Sequence, residues 1–424
     1  MSIAYLIYKD FSKGGILLQY FNRDIEDIIL QTSNHYSAIL LTGPRQVGKT
    51  TTLKKLSSGV RSEVSLDDLE ARRLAKSDPE MFFSIHKLPI YIDEIQYAPE
   101  LFSRIKIEVD SGAKPGSFWM SGSQSFRLME LAGESLAGRV AIFHMKSLSQ
   151  REIFGGNSRK PFELNLTSLQ EKLEGKTPID ASAQYERIWN GSMPGHMSGK
   201  YPNRNVFYGS FVESYITRDV KDVISGVDDL QFSDFLRAAA CRAGQVLNIH
   251  ALASDVGVSD ETAKRWLGVL EKSEVVFYLR PFSNNLLKRT IKTPKMYFFD
   301  TGLVAFLTKY STPEILISGA INGAILENYV VAEIMKSYHN NALEAVCHYY
   351  RDKDSQEIDI ILECGQTLHP IEVKKTASPS MEMTKQFRLL DKAHLNRGMG
   401  AVVCTKKMFS AINQNTVIVP VWSL

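Results

Sequence analysis

One stretch of eight residues constrains the fold of this chain more than any other. Residues 43–50 have the sequence GPRQVGKT, which fits the phosphate-binding P-loop pattern G-x-x-x-x-G-K-[ST]. The apolar run 37–42 before it predicts a buried strand, and residues 51–56 after it predict the start of a helix. Such an arrangement directs backbone N–H groups and the positive end of a helix dipole at one anion. The predicted nucleotide-binding residues here are Gly43, Pro44, Arg45, Gln46, Val47, Gly48, Lys49, Thr50 and Thr51.

Individual roles follow from the chemistry of phosphate transfer. Lys49 is predicted to reach the β- and γ-phosphates, and the Thr50 hydroxyl is predicted to bind Mg²⁺. A second apolar stretch, residues 88–92, ends in Asp93 and Glu94. Asp93 suits a magnesium-holding role beside Thr50, and Glu94 suits a general base that polarises the attacking water. The alternative for both acids is capping of the helix that follows them.

Further candidate residues lie downstream. Residues 116–124 predict a strand that ends in small polar residues, so Ser123 or Gln124 is a candidate to contact the γ-phosphate or the water. The guanine-reading pattern Asn-Lys-x-Asp is absent from the sequence, which favours ATP over GTP. Arg139 follows that strand on a loop. It is a candidate arginine finger, in cis or toward a neighbouring subunit; the alternative is a surface arginine paired with a carboxylate.

Length and composition set broad limits. A chain of 424 residues with 44% hydrophobic and 23% charged residues is typical of a globular protein of two to four domains. The net charge of +3 neither requires nor excludes nucleic acid. Four widely spaced cysteines predict reduced thiols and no zinc site. Neither a signal peptide nor a membrane-spanning apolar run is recognisable, which predicts a cytoplasmic protein.

The pattern of elements up to residue 145 predicts an α/β domain with a parallel, helix-covered sheet. Residues 21–36 predict a helix, and residues 63–68 predict a strand whose acidic end places Asp67 near the site or in a capping turn. Residues 157–184 are polar and aperiodic, which indicates a linker. Residues 206–224 predict an amphipathic helix. Its Arg218 is expected to pair with an acid four residues on, or to serve as a lid-type sensor.

From residue 229 the pattern changes to three helices followed by a strand at 275–280. Three helices plus a β-hairpin are typical of a winged helix, whose third helix docks in the DNA major groove. Residues 280–295 contain no acid, so this predicted wing is basic and able to contact phosphates. Winged helices also serve as protein-binding or structural modules, and that alternative stays open. The basic residues of the wing are Arg280, Lys288, Arg289, Lys292 and Lys295.

The last hundred residues predict a helix at 325–335 and strands at 348–351, 357–362 and 370–374. Strand alternation places Asp359 on the polar face of one strand, and Glu372 and Lys374 on the polar face of another. If these strands pair through a turn at residue 365, the three side chains converge. Two carboxylates would then bind Mg²⁺, with Glu327 of the helix as a third, while the lysine orients a water. The alternative is a hairpin with its charges in solvent.

With these motifs in place, nearly the whole chain resembles a family of bacterial and archaeal AAA-type P-loop ATPases. Members of this family carry a C-terminal domain of unknown function with a restriction-endonuclease-like fold. The resemblance rests on eight segments: GPRQVGKT at 43–50, SLDD at 65–68, YIDE at 91–94, LAGR at 136–139, YITRD at 215–219, MYFFDTG at 296–302, EID at 357–359 and IEVK at 371–374.

The resemblance implies ATP and Mg²⁺ binding at Lys49, Thr50 and Asp93, a base at Glu94 and a finger at Arg139. It also implies that Asp359, Glu372 and Lys374 correspond to the nuclease superfamily's proline-aspartate and acidic-x-lysine motif, with Ile358 where the proline often stands. The expected domains are a P-loop core at 1–155, a linker and helical lid-like region at 156–228, a winged helix at 229–315 and a nuclease-like domain at 316–424.

The expected function is ATP hydrolysis coupled to binding or processing of DNA. An ATP-switched scaffold with an inactive nuclease-like domain is the alternative. The expected ligands are ATP and Mg²⁺, the expected macromolecular partner is DNA, no membrane is involved, and oligomers are possible.

Overall fold

A computed structural model describes residues 19–123, 133, 136–224, 226–283, 293–352, 354 and 356–424, without the side chains of residues 218, 219 and 222. Five parallel strands form the first sheet, in the order β2-β3-β4-β1-β5. Every residue of β1, β3 and β4 is buried, as expected for a parallel sheet covered on both faces. The predicted helix-covered parallel sheet is therefore confirmed. Its strands are β1 (Ala38–Thr42), β2 (Ser62–Ser65), β3 (Ile90–Asp93), β4 (Phe118–Ser121) and β5 (Val140–His144).

The helices around this sheet begin at clear sequence signals. Gly48 caps the helix after the P-loop, and the side chains of Asp68 and Asp78 cap the next two. Asp68 is therefore a capping residue. Its neighbour Asp67 is exposed and lies 3.8 Å from Arg72. The helix predicted over 21–36 is shorter than expected. The helices are α1 (Glu26–Thr32), α2 (Lys49–Ser57), α3 (Leu69–Ser77), α4 (Pro79–Ile85) and α5 (Glu100–Asp110).

Helices also dominate the segment after β5. The stretch 157–184, predicted as a linker, contains one helix and the start of another, because Phe162, Leu164 and Leu169 are buried in the main core. The helix predicted over 206–224 is interrupted by a π-helical turn at Tyr215–Val220. The helices are α6 (Gln150–Phe154), α7 (Leu166–Leu173), α8 (Ala181–Asn190), α9 (Pro194–Met197), α10 (Arg204–Ser214) and α11 (Lys221–Val223).

The next unit has the element order helix, strand, two helices and two strands. The side chain of Ser259 accepts from Thr262 N and caps the third helix where the sequence predicts it. Trp266 of the third helix packs edge-on against Phe232 and Phe235 of the first, and Leu252 and Ala253 of the second helix belong to the same hydrophobic core. The elements are α12 (Asp229–Ala240), β6 (Gln245–Val246), α13 (Ile249–Val256), α14 (Asp260–Lys272), β7 (Val276–Pro281) and β8 (Lys295–Phe298).

The second sheet has nine strands in the order β13-β14-β12-β11-β10-β9-β7-β8-β6 and is mixed. Its central hairpin turns at Gly365, whose φ of 61° suits glycine. Strands β7 and β9 pair in parallel, with Arg280 beside His348. Strands on both sides of the expected boundary at 315/316 therefore belong to one continuous sheet. The remaining strands are β9 (Cys347–Arg351), β10 (Glu357–Cys364), β11 (Thr367–Lys374), β12 (Gly400–Cys404), β13 (Ser410–Asn413) and β14 (Thr416–Pro420).

One long helix packs against the nine-stranded sheet and also contacts the helical segment after β5. It packs against β8 and β11, and the Asn328 side chain exchanges two hydrogen bonds of 2.8 and 2.7 Å with the Phe298 backbone of β8. Near its other end, Glu333 accepts from the Gln150 backbone at 2.6 Å. In the described part of the chain, no helix is long and apolar enough to cross a bilayer. The helices are α15 (Thr301–Leu307), α16 (Pro313–Ser318), α17 (Asn322–His339) and α18 (Arg388–Lys392).

Candidate functional site

The P-loop connects the carboxyl end of β1 to the first turn of α2. Gly43 has a φ of 141°, and a Cβ at this position would lie 2.2 Å from the Met145 carbonyl oxygen. Only glycine therefore fits. The Lys49 ammonium donates to the Gly43 and Pro44 carbonyls at 2.7 and 2.6 Å. The loop is thus curled around its own lysine, with the N-terminus of α2 directed at the space that a phosphate would fill.

Asp93, the last residue of β3, lies beside the P-loop threonine. Its Oδ1 accepts hydrogen bonds from Thr50 Oγ1 at 3.1 Å, Tyr91 OH at 2.9 Å and Ser121 Oγ at 2.5 Å. Burial, followed by the negative charge of Asp93, raises the pKa of Tyr91, so its phenol stays protonated as a donor. Sequence reasoning missed Tyr91 and Ser121. Tyr91 was accessible from strand alternation, because residues two apart share a face.

Glu94 follows directly and adopts a left-handed backbone conformation with a φ of 55°. Such a conformation costs a non-glycine residue of order 1 kcal/mol or more and is concentrated at functional sites. The Gln96 amide donates to Glu94 Oε2, and the Ser123 hydroxyl lies 3.4 Å from the same oxygen. The structure thus places Ser123, one of the two sensor candidates, beside the candidate base. Gln124, the other, lies outside the described residues.

Several of these groups line one cavity of about 680 Å³, a size typical of small-molecule sites. The P-loop from Arg45 to Thr52, together with Glu94 and Ser123, forms one wall. Tyr20 and Phe21 precede α1 and form a second wall. The third wall comes from the helical region after β5, so the cavity lies between two parts of the chain. The residues of this third wall are Pro194, Gly195, Ser198, Lys200, Tyr201, Phe207 and Ser214.

Arg23 supports the P-loop through a hydrogen bond to its backbone, and sequence reasoning missed this residue. Its guanidinium donates to the Val47 and Lys146 carbonyls, each at 2.8 Å, and its Nε lies 2.9 Å from Glu152 Oε1. Arg23 is 3% exposed, so these contacts are shielded from solvent. Its partners lie up to 129 residues away in sequence, and no local pattern indicates such a role.

Arg139 lies just before β5, at the end of the sheet where the parallel strands begin, whereas the P-loop lies where they end. The residue after it, Val140, pairs with Ala38 at the start of β1, whereas the P-loop begins after Thr42 at the end of that strand. The Arg139 guanidinium pairs with the Asp110 carboxylate and donates to the Ala137 carbonyl at 3.0 Å. A finger role in cis is therefore excluded by the direction of the sheet. The pair with Asp110 fits the alternative of a surface arginine bound to a carboxylate. Of the two finger roles, the one toward a neighbouring subunit stays a prediction.

We expect Arg139→Ala to lower kcat by about 10³-fold in an assembled oligomer, because a finger stabilises charge in the transition state. ATP affinity should hardly change, since the arginine lies away from its own cavity. Steady-state ATPase rates across a range of protein concentrations measure the effect. Arg104→Ala is the matched control, because Arg104 is also paired with an acid on α5.

Mixing Arg139→Ala with Lys49→Ala should restore part of the activity, since each chain supplies what the other lacks. An equal loss of rate at dilutions where the chain is monomeric would contradict the trans role.

A second set of charged residues meets on the central hairpin of the nine-stranded sheet. The pairing of Ile360 with Ile371 places Asp359 opposite Glu372. The Lys374 ammonium lies 3.2 Å from Asp359 Oδ2 and 2.6 Å from Glu372 Oε2. The Val373 backbone N–H donates to Asp359 Oδ2 at 2.9 Å. The structure thus brings together the three side chains that strand alternation places on one face.

The pKa values of the side chains in this cluster are shifted by burial and by neighbouring charges. Burial, followed by the charge of Asp359, raises the pKa of Glu372 to about 8. The same two causes raise the pKa of Glu327 to about 7. Burial lowers the pKa of Lys374, but Asp359 and Glu372 outweigh it and the net shift is upward. Carboxylates this close repel one another unless a proton or a cation neutralises them.

The structure does not bring Glu327 in as a third metal ligand. Its Oε1 is bound by Lys295 at 2.9 Å and by the Tyr297 hydroxyl at 2.6 Å. Across the described ranges, no group of three His, Cys, Asp or Glu side chains is arranged to hold a metal ion. The pair Asp359 and Glu372 still fits Mg²⁺, which commonly binds through one or two carboxylates and keeps several waters. Lys295 and Tyr297 were not predicted to be part of this site.

Comparisons with known proteins agree with the P-loop domain. Residues 35–154 match an AAA domain, residues 182–314 match a domain of unknown function (DUF8612), and residues 322–424 match a domain of unknown function (DUF4143). The uncharacterized proteins Rv2008c of Mycobacterium tuberculosis and Mb2031c of Mycobacterium bovis are both similar to this chain. Each is 28% identical over 374 residues, which cover 87% of this chain and 77% of the relative.

Two solved structures are similar at lower levels. A Walker-type ATPase of Pyrococcus abyssi is 14% identical with a TM-score of 0.44, covering 68% of this chain and 96% of that one. The replication initiator DnaA, bound to AMPPCP and single-stranded DNA, is 14% identical with a TM-score of 0.25, covering 59% and 87%. The chain thus combines an AAA-type P-loop ATPase domain at residues 35–154 with a C-terminal DUF4143 domain at residues 322–424.

Proposed function

We propose that this protein is a magnesium-dependent ATPase whose active site is the cavity beside the P-loop. One observation carries the proposal: Thr50 Oγ1 lies 3.1 Å from Asp93 Oδ1, with Lys49 and Glu94 lining the same cavity. A threonine hydroxyl and a carboxylate are the oxygen ligands that hold Mg²⁺ in P-loop sites, so this donor set fits the ion. Thr50 and Asp93 would hold Mg²⁺, which would supply positive charge against the negative charge that develops on the phosphates.

The residues of this chain then have separate tasks. Lys49 exchanges its two carbonyl contacts for phosphate oxygens, which accept stronger, charge-assisted hydrogen bonds. Glu94, held by Gln96 beside Ser123, accepts a proton from the attacking water. Arg23 keeps the Val47 peptide in place, so that the loop is shaped before ATP arrives.

DNA is the macromolecular partner we propose for the middle unit. The order of α12, β6, α13, α14, β7 and β8, with β6 and β7 both pairing to β8, fits a winged helix. On α14 the exposed face carries Lys264 and Arg265, which are suited to phosphate contact. Lys288, Arg289 and Lys292 of the predicted wing lie outside the described residues.

For the C-terminal domain we propose a nuclease-like site made of Asp359, Glu372 and Lys374. The convergence of two carboxylates and a lysine on adjacent strands supports it. The carboxylates would hold Mg²⁺, and Lys374 would orient the water or stabilise a pentavalent phosphate. A scaffold regulated by ATP is the second candidate. It is favoured by the contacts of Lys374 with both carboxylates and by the diversion of Glu327 to Lys295.

ATPase assays with and without single-stranded, duplex and branched DNA test the coupling. We expect DNA to change kcat, and Mg²⁺ or Mn²⁺ to support slow cleavage that Asp359→Ala and Lys374→Ala both abolish. Because Asp359 and Lys374 lie outside the P-loop cavity, basal ATPase activity should survive both substitutions. Glu363→Ala, on the same strand as Asp359 and 23% exposed, is the matched control.

A stimulated ATPase with no cleavage by the unsubstituted chain would select the scaffold. Cleavage that survives Asp359→Ala would remove this site from the reaction.

A further inference from the structure

A second lysine is built into the acidic cluster, and it comes from the unit that precedes the C-terminal domain. Lys295 is the first residue of β8 and is 3% exposed. Its ammonium lies 2.9 Å from Glu327 Oε1 and 2.5 Å from Glu357 Oε1. A buried ammonium with two carboxylate partners is expensive to misplace, because removing one partner leaves an uncompensated charge away from water. Lys295 is therefore a fixed part of the cluster.

The backbone around Lys295 is fixed as well. Strand alternation places Lys295 and Tyr297 on the same face of β8, so both reach Glu327 Oε1. The Asn328 side chain of α17 accepts from the Phe298 N–H and donates to the Phe298 carbonyl, which holds β8 against this helix. Glu327, one residue earlier on that helix, is held toward β8 by Lys295 and Tyr297.

The charges of the cluster leave room for one divalent ion. Four carboxylates (Glu327, Glu357, Asp359 and Glu372) meet two lysines (Lys295 and Lys374), which sums to −2 if every group is ionised. Within the described residues, no hydrogen-bond donor reaches Glu372 Oε1, which is buried. An orphaned carboxylate oxygen beside Asp359 is what a metal ligand looks like when it is not coordinated.

We propose that Lys295 is a permanent counter-cation that keeps Glu327 and Glu357 out of metal coordination and confines a divalent ion to Asp359 and Glu372. This positioning role rests on the proposed metal site of the C-terminal domain. Lys295 belongs to β8, so the unit that precedes the C-terminal domain supplies the residue that limits the cluster to one ion. The pairing of β7 with β9 joins this unit to the C-terminal domain in one sheet.

Mn²⁺ titration of the full chain without nucleotide, read by electron paramagnetic resonance, tests this role. Ions that remain in Asp359→Asn belong to other sites and are subtracted. We expect the unsubstituted chain to bind one Mn²⁺ at the cluster. In Lys295→Met two carboxylates lose their cation, so the cluster should bind Mn²⁺ at least about tenfold more tightly or take a second ion. Lys392→Met, an exposed lysine at the end of α18, should behave like the unsubstituted chain.

Two further variants separate this role from simple structural support. Glu327→Gln keeps the shape of the side chain and should leave Mn²⁺ affinity within about twofold, because Glu327 is not a ligand while Lys295 is present. In Lys295→Met/Glu327→Gln/Glu357→Gln the extra binding should disappear, since both carboxylates that Lys295 held are gone. This triple variant leaves no unpaired charge at Lys295 and its two partners, so it stays testable if Lys295→Met alone fails to fold.

The outcomes are distinguishable. Unchanged affinity and stoichiometry in folded Lys295→Met, or a tenfold loss of affinity in Glu327→Gln, overturns the role of Lys295 and leaves the proposed metal site standing. Binding by Lys295→Met but not by the unsubstituted chain overturns the proposed metal site and, with it, the role of Lys295 in confining an ion there. Absence of Mn²⁺ binding by either chain overturns both proposals.

Discussion

Lys49→Ala is expected to abolish ATP binding at micromolar nucleotide and, with it, hydrolysis. The lysine is 7% exposed and its ammonium is already held over the P-loop by two carbonyls, so it is in position for phosphate. Hydrogen bonds to charged groups are worth about 1.5–3 kcal/mol each, so losing contacts to two phosphates weakens binding by about 10²-fold or more. Equilibrium titration with a fluorescent ATP analogue measures this loss.

The control for Lys49 lies on the same helix. Lys54 is exposed and outside the cavity lining, so Lys54→Ala should bind ATP as the unsubstituted chain does. Thermal melting without nucleotide should show both variants folded. If Lys49→Ala bound ATP with unchanged affinity while folded, the phosphates would have to lie elsewhere, and the assignment of this cavity would fail.

Glu94→Gln is expected to separate binding from turnover. The amide keeps the size of the side chain but cannot take a proton from water, so kcat should fall by about 10²–10⁴-fold, the usual contribution of a general base. ATP affinity should stay within a few-fold, because Lys49, Thr50 and Asp93 are untouched. Single-turnover hydrolysis and nucleotide titration on the same preparation measure the two quantities independently.

A matched substitution checks that the effect belongs to this position. Glu100→Gln, at the exposed first turn of α5, should hydrolyse ATP at the rate of the unsubstituted chain. A Glu94→Gln variant that turns over at that rate would show that another group activates the water. The combined pattern, no binding in Lys49→Ala and binding without turnover in Glu94→Gln, is the signature we expect of this site.

The P-loop and Asp93 were accessible from sequence because their determinants are local. A strand, a glycine loop and a helix start are each set by neighbouring residues, and Gly43 and Gly48 occupy backbone conformations that favour glycine. The acidic hairpin was accessible for a similar reason. Alternation fixes which side chains share a face, and a turn at Gly365 leaves few possible registers, of which the observed one places Asp359 opposite Glu372.

Other parts of both sites depend on contacts between distant segments. Arg23 reaches Glu152 across 129 residues, and Lys295 reaches Glu327 across 32. The position of Arg139 depends on the direction in which β5 joins the sheet, and the shared nine-stranded sheet depends on one parallel pairing between β7 and β9. Nothing in a local pattern chooses such pairings.

By itself, the sequence determined the class of fold, the P-loop, the carboxylate of Asp93 at the end of β3 and the polar face of the C-terminal hairpin, because backbone conformation and side-chain periodicity are encoded by adjacent residues. The tertiary structure alone decided which arginine supports the P-loop, that Arg139 faces away from its own cavity, and that Lys295 diverts Glu327 from Asp359. The physical reason is that buried charges are stabilised by whichever opposite charge the packed chain brings within about 3 Å, and that choice is made by the whole fold.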